Sequence, residues 1–159
     1  MIPTKKTYLL LLFGIAIAPT GAVIWGIPSG IAATLLFDSI VLTLMVIDGW
    51  RVKCDRIQIT RQMERRLSIG RDNAIVLTVK SQNSPAQIQV RDLYPIKFSA
   101  SQPQFVTFLA SNTTTDLTYT VCPPKRGEFE CGDIQVRQLG AWRLAWNDYR
   151  VHQSQKIKV

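Results

Sequence analysis

The sequence predicts two membrane-crossing helices followed by an all-β antiparallel sandwich. Three observations predict it. Two apolar runs, Thr7–Trp25 and Ser29–Ile47, stand near the start, joined by Gly26-Ile27-Pro28. Lys and Arg lie on both flanks of the pair and are missing from the turn between them. After Asp48 the hydropathy changes character, and apolar residues alternate with polar ones.

Each apolar run is about the length that spans a ~30 Å hydrocarbon core as a helix, which takes ~20 residues. Neither contains Lys, Arg, Glu or His. In lipid a lone strand or loop leaves its backbone unpaired, so each run is expected to be helical. A cleaved signal is the first rival, since Lys5-Lys6 and an apolar core precede Ala16-Ile17-Ala18. Pro19 follows that site directly, which disfavours cleavage, and the apolar text resumes at Ala22. A soluble helical core is the second rival. The remaining chain of about 110 residues is too small to wrap both helices, though it suits one small domain.

Charge sets the orientation. Lys5 and Lys6 precede the first span, and Arg51, Lys53, Arg56, Arg61, Arg65 and Arg66 follow the second. The positive-inside rule puts both ends in the cytoplasm, with the chain in the plasma (inner) membrane. Trp25 and Trp50 mark span ends, and Gly14, Gly21, Gly30, Ala32 and Ala33 permit close helix approach and self-association. The net charge of +8 is partly concentrated in the juxtamembrane segment. Arg51, Lys53 and Arg56 are candidates for contact with anionic lipid. Aromatics are not interleaved with these basic residues, and no nucleic-acid module is present, so no nucleic-acid partner is expected.

In order, residues 1–50 form the hairpin, 51–66 a basic juxtamembrane segment with the first strand, and 55–159 the β-domain. Met1–Lys6 reads as a polar tail. Pro19 is expected to kink or end the first helix, and Ser29 to cap the second. Asp38 sits near the middle of the second span, where an ionised Asp costs roughly 2.5–3.5 kcal/mol. It is the candidate intramembrane polar site, read either as a partner or proton-linked group or as a neutral acid bonded to Thr34, Ser39 or Thr43.

Strand faces follow: Ile57 with Ile59; Ile75, Leu77 and Val79; Ile88 with Val90; Phe105–Ala110; Leu117, Tyr119 and Val121; Glu128–Cys131; Ile134 with Val136; Trp142, Leu144 and Trp146; Ile157 with Val159. A charged connection is expected from Arg61 to Asn73, and breaks at Gln82–Pro85, Asp92–Pro95, Ser111–Thr113 and Pro123–Gly127. Short strands with turn signals every 8–12 residues indicate an antiparallel sandwich. Tyr119 is placed on the inner face with its hydroxyl on a backbone partner.

The chain resembles the N-terminal part of the family called domain of unknown function, family 58. The matching text is Pro3-Thr4-Lys5-Lys6, Asp48 with Arg51, Arg66-Leu67-Ser68-Ile69-Gly70, and Val90-Arg91-Asp92 with Pro95. It continues through Leu117-Thr118-Tyr119 with Val121 and Pro123, and Arg126-Gly127-Glu128-Phe129 with Gly132. The resemblance implies a helical hairpin, a basic segment and an immunoglobulin-like β-domain. Related chains continue into a von Willebrand factor A-like domain, which carries any metal-ion-dependent adhesion site. This sequence ends at Lys158-Val159, ahead of that domain, and reads Gly140-Ala141-Trp142-Arg143-Leu144 in place of a Pro-Leu-Gly-Leu-type turn. No metal ligand is therefore carried over. The larger relatives are linked with MoxR-type AAA+ ATPases and with envelope or enzyme-complex maturation.

Catalytic chemistry is not legible. No phosphate-binding glycine loop is present, and His152, the one histidine, lies in a polar stretch. No catalytic residue, cofactor or metal site is expected. Asp92 and Asp116 read as turn or strand-edge acids. Cys54, Cys122 and Cys131 fit no metal spacing and read as free thiols, with Cys122 and Cys131 facing each other across a hairpin. Lys125 and Arg126, on the Pro123–Gly127 tip, are the candidate contact for an acidic protein surface or lipid headgroups, with pairing of Arg126 to Asp116 or Glu128 as the alternative. Two functions follow: a non-enzymatic membrane scaffold presenting its β-domain to a protein partner, or a small membrane sensor working through Asp38.

Overall fold

A computed structural model describes residues 1–64 and 66–159, without the side chains of residues 18, 21 and 25. The expectations resting on Arg65, and on the side chains of Gly21 and Trp25, lie outside the described residues. The chain divides into two compact units, Met1–Cys54 with Leu139–Asn147, and Asp55–Gln138 with Asp148–Val159.

The first unit holds β1 (Ile2–Pro3), α1 (Lys5–Trp25) and α2 (Ile27–Cys54). Thr4 caps α1, its hydroxyl accepting from the Thr7 N–H at 3.4 Å. The opening residues are thus strand and cap, not a polar tail: β1 pairs antiparallel with Ala145 and Trp146. Pro19 does not end α1, which runs on to Trp25. Gly26 ends it, with φ +93°, a conformation open to glycine. Pro28 sits in the first turn of α2, where its missing N–H costs nothing. Ser29 lies inside that turn, and its hydroxyl donates to the Gly26 carbonyl at 2.7 Å, so it is not the cap expected. Both helices are long and apolar enough to cross a membrane. Phe13 and Phe37 meet edge-on at 6.2 Å, and Gly14 packs directly on Asp38. Gly30 is buried, as close helix approach requires, whereas Ala32 and Ala33 face outward.

The second unit is the sandwich. Its strands are β2 (Gln58–Met63), β3 (Asn73–Lys80), β4 (Ala86–Asp92), β5 (Ser99–Ala100), β6 (Gln104–Leu109), β7 (Thr114–Cys122) and β8 (Glu128–Cys131). The chain continues through β9 (Ile134–Leu139), β10 (Ala145–Val151) and β11 (Gln155–Lys158). One sheet runs β2-β3-β7-β5, and the facing one runs β10-β9-β4-β6. In chain order β2, β3 and β7 take the places A, B and E, and β4, β9 and β10 the places C, F and G, of an immunoglobulin-like sandwich. The fold is therefore a pair of apolar helices followed by antiparallel β-sheets of that kind. A separate ribbon pairs β8 with β11, setting Phe129 opposite Ile157.

Alternation decides what goes inside. Ile75, Leu77, Val79, Ile88, Val90 and Ile134 are fully buried. Each such side chain contributes roughly 1.5–3 kcal/mol by leaving water. Phe98 meets Phe129 edge-on at 4.8 Å at the margin of this core.

Four expectations need correction. Arg61 belongs to β2, not to a loop, and points inward with Ile59. Asp92 ends β4 instead of breaking it. The alternation of Trp142, Leu144 and Trp146 does not continue one strand, because Ala141–Leu144 is a turn and the buried faces of β10 are Ala145 and Asn147. Finally, β7 and β8 form no hairpin with each other, since β8 pairs with β11, so Cys122 and Cys131 do not face each other across one.

Candidate functional site

The most heavily built polar centre lies inside the sandwich. Arg61 in β2 and Asp92 in β4 form a forked ion pair in which both side chains are 1% exposed. The Arg61 Nε donates to Asp92 Oδ2 at 3.0 Å, and Nη2 donates to Oδ1. Nη2 also reaches the Gly132 carbonyl at 2.8 Å, and Nη1 the Gln153 carbonyl at 3.0 Å. Tyr119 donates its hydroxyl proton to Asp92 Oδ2 at 2.7 Å. Gln153 completes the set, accepting from the Arg61 backbone N–H at 2.8 Å and donating to the Ile59 carbonyl at 2.7 Å.

Two buried charges cost several kcal/mol each to desolvate, and only tight pairing with further hydrogen bonds offsets that. Here each nitrogen of the Arg61 guanidinium has a partner among the described residues. The centre is a pin between strands. Tyr119 is buried as expected, but its hydroxyl partner is a carboxylate rather than the backbone. Burial, with Asp92 alongside, pushes the Tyr119 hydroxyl far above the usual phenol range. Burial also lifts the Cys131 thiol to about 11.

A second polar cluster joins Tyr149, Gln138 and Asp55. Tyr149 accepts from the Ile57 N–H at 3.2 Å and donates to Gln138 Oε1 at 3.0 Å. Gln138 in turn donates to the Asp55 carbonyl at 3.1 Å. Burial raises the Tyr149 hydroxyl to about 12. Arg56, a candidate for lipid contact, stacks on the Tyr149 ring at 5.2 Å.

In the first unit the polar joint is Asp48, fully buried. Its Oδ1 accepts from the Trp142 N–H at 3.0 Å, and its Oδ2 from the Leu144 N–H at 3.0 Å. Gly140 lies against the same carboxylate, leaving no room for a Cβ. Asn147 donates to the Gly49 carbonyl at 2.6 Å, and Thr4 to the Arg143 carbonyl at 2.7 Å. Arg51 lies over the Trp142 ring at 4.9 Å, and Lys53 is exposed in the last turn of α2. That position suits the negative end of the helix dipole.

Asp38 is packed at Gly14, and its Oδ1 is buried with no hydrogen-bond partner among the described residues. Two of the three hydroxyls expected to satisfy it are engaged elsewhere. Thr34 donates to the Gly30 carbonyl at 3.1 Å, and Thr43 to the Ser39 carbonyl at 2.7 Å.

Lys125 and Arg126 are exposed on the Pro123–Gly127 turn. Among the described residues Arg126 pairs with neither Asp116 nor Glu128; Lys158 holds Glu128 at 3.1 Å instead. Arg126 borders an open groove with Arg66, Ser68 and Lys158. His152 sits 2.9 Å from Asp133, a pairing invisible in the sequence. Cys54 is exposed, and Cys122 and Cys131 are free. Among the described residues no His, Cys, Asp and Glu cluster has a metal-holding arrangement.

One surface was not anticipated at all. Outward residues of β10-β9-β4-β6 line a groove of about 360 Å³, including Gln89, Arg91, Gln104, Gln135 and Arg150. Arg137 and Asp148 form a fork across it at 2.8 and 3.1 Å. That bond raises the Arg137 guanidinium still further above its ordinary range. The legible signal was the polar phase of each strand, rich in Gln and Arg.

No protein-family model matches the chain, nor does any curated protein sequence. Among solved structures it is similar to a FixG-related protein from Vibrio parahaemolyticus, at 11% identity over 65% of this chain and 96% of that one, with a TM-score of 0.39. It is also similar to WR4, a C. elegans MSP family member, at 12% identity over 63% of this chain and 94% of that one, with a TM-score of 0.37. Likeness this distant bears on no activity, and the fold assignment rests on the strand order itself.

Proposed function

We propose that the chain is a non-enzymatic integral membrane accessory protein that presents its β-sandwich to a cytoplasmic protein partner. One observation carries this reading. Only 12% of the apolar window of α1 and 11% of that of α2 is buried. Leu9, Leu12, Phe13, Ile24, Leu35 and Leu36 all stand exposed. In water such a surface would drive aggregation; in lipid it is at its solvent. The basic flanks and the uncharged turn support an orientation with both ends in the cytoplasm. The helix pair followed by an immunoglobulin-like domain also agrees with the family 58 resemblance. That resemblance suggests a MoxR-type AAA+ ATPase or a von Willebrand factor A-like protein as the partner class.

Reporter fusions at Lys6 and Val159 test the topology. Both should report cytoplasm. An extracytoplasmic reporter at Val159 overturns the orientation, and full release by alkaline carbonate overturns the membrane reading.

A second reading has its own observation. The orphan oxygen of Asp38 is a group that a proton, an ion or a neighbouring helix would satisfy, which supports a sensor acting through the membrane. Asp38→Asn should then abolish signalling at an unchanged membrane level. Unchanged signalling removes this alternative.

A further inference from the structure

Among the described residues strand β6 ends its sheet, paired on one side only, with β4. Soluble domains blunt such edges with Pro, Lys, bulges or short length, because unpaired N–H and C=O groups recruit other strands. Pro103 guards only its start, accepting from the Asp92 N–H at 3.0 Å; Gln104–Leu109 holds neither Pro nor Lys and reads Gln-Phe-Val-Thr-Phe-Leu. On its outer phase Val106 is 61% exposed and Phe108 63% exposed. Two large apolar side chains therefore stand in solvent along an open edge.

The same face is cationic. Arg91 stands opposite Gln104 in the register, and Gln89 opposite Val106. Arg137 is neutralised by Asp148, but among the described residues Arg91 and Arg150 make no ion pair. Strands lie about 4.8 Å apart, so a carboxylate on an added strand beside Gln104 comes within reach of the long Arg91 side chain.

We propose that β6 is a strand-addition site for an extended, acidic segment of a protein partner. The segment pairs its backbone with the free edge of β6. It places apolar side chains beside Val106 and Phe108, and a carboxylate toward Arg91. Backbone pairing supplies affinity, and the alternating side chains supply choice. The inference deepens the scaffold reading by naming its surface and the chemistry of its partner. It differs from that reading in its test, since topology reporters are blind to the edge.

The experiment titrates the full chain in lipid nanodiscs with a short labelled peptide whose outward phase reads Glu-Val-Val between threonines. A lysine counterpart and a version N-methylated on alternate amides accompany it. The acidic peptide should bind about tenfold tighter than the lysine one, a difference of about 1.4 kcal/mol. N-methylation should abolish binding. Phe108→Lys and Arg91→Glu should each weaken it by about tenfold or more while the chain melts normally, both side chains being at the surface. Lys80→Ser, at the exposed end of β3 in the other sheet, should leave it unchanged. Equal binding of the lysine peptide, indifference to N-methylation, or no binding of any peptide overturns the proposal. So does light scattering that shows a wild-type dimer dissolved by Phe108→Lys, because the edge then belongs to a second copy.

Discussion

Asp38 in the helix pair and Asp92 in the sandwich each carry a buried carboxylate oxygen, and the two units treat them in opposite ways. Asp92 receives a forked guanidinium and a tyrosine hydroxyl, so its charge is met from several strands. Asp38 presents a buried oxygen to Gly14 with nothing among the described residues to accept from. In the sandwich the alternation of each strand aims several polar groups at one point, and their mutual bonding offsets the cost of burial. A two-helix hairpin offers Asp38 mostly apolar neighbours, and its Thr hydroxyls bond to their own helix. A buried carboxylate oxygen therefore reports on its surroundings: those of Asp92 are met by neighbouring strands, and Oδ1 of Asp38 has no partner among the described residues.

Removing one side of the Asp92 pair is the strongest way to break this comparison. Arg61→Met leaves an uncompensated buried carboxylate and should destabilise the chain by about 3–5 kcal/mol in urea unfolding. Arg61→Met with Asp92→Leu should recover part of that loss, because no unpaired charge remains, while Tyr119 and the Gly132 and Gln153 carbonyls lose their partners. Tyr119→Phe should cost about 1.5–3 kcal/mol, the range for a hydrogen bond to a charged group. If the double variant is no better than Arg61→Met, the pair is not the unit described here.

Alkaline titration sharpens the same contrast. Cys131, Tyr149 and Tyr119 are neutral when protonated, and burial in the folded state holds their protons more tightly than the unfolded chain does. Their contribution is thus fully present below pH 9 and is lost as pH rises from there toward 12. Melting should be flat in this respect from pH 7 to 8.5. It should fall by roughly 2–3 kcal/mol between pH 9 and 11 from Cys131 alone. Cys131→Val should flatten that slope, and an unchanged slope would mean that Cys131 does not hold its proton.

The smallest effect is expected at Asp38. Asp38→Asn should change unfolding of the β-sheets by under ~0.5 kcal/mol, as distant independent sites do. Its consequence should be confined to helix association, where polar contacts average about 0.6 kcal/mol. A large shift in sheet melting would sink the separation drawn between the two acids.

The legibility of the sequence follows the same physics. The helix pair and most strands were readable because long apolar runs and period-two alternation are local signals. Ile75, Leu77 and Val79 in β3 were placed correctly for that reason. Arg61 and Asp92 were misread because charge suggests loops. Yet Arg61 continues the inward phase of Ile57 and Ile59, and Asp92 that of Ile88 and Val90. Opposite charges on inward phases of two strands were the available clue to a buried pair. Asp48 carried no such clue, since its partners are backbone N–H groups about a hundred positions later. The β8–β11 ribbon and the exposed edge of β6 were illegible because strand order is a tertiary property. Pro19 and Ser29 were misjudged by local rules that helix continuity overrode.

The partners of Arg61 also say something about time. They lie 31, 71 and 92 positions away along the chain, at Asp92, Gly132 and Gln153. A ribosome delivers residues at roughly 5–20 per second, so for several seconds a growing chain exposes Arg61 with its last acceptor still unmade. Contacts this distant also slow the folding search. The sandwich therefore closes late, well after the helices have been synthesised, and until then the two sheets lack their shared fastening. During that interval the helices are complete while Arg61 still lacks its last acceptor.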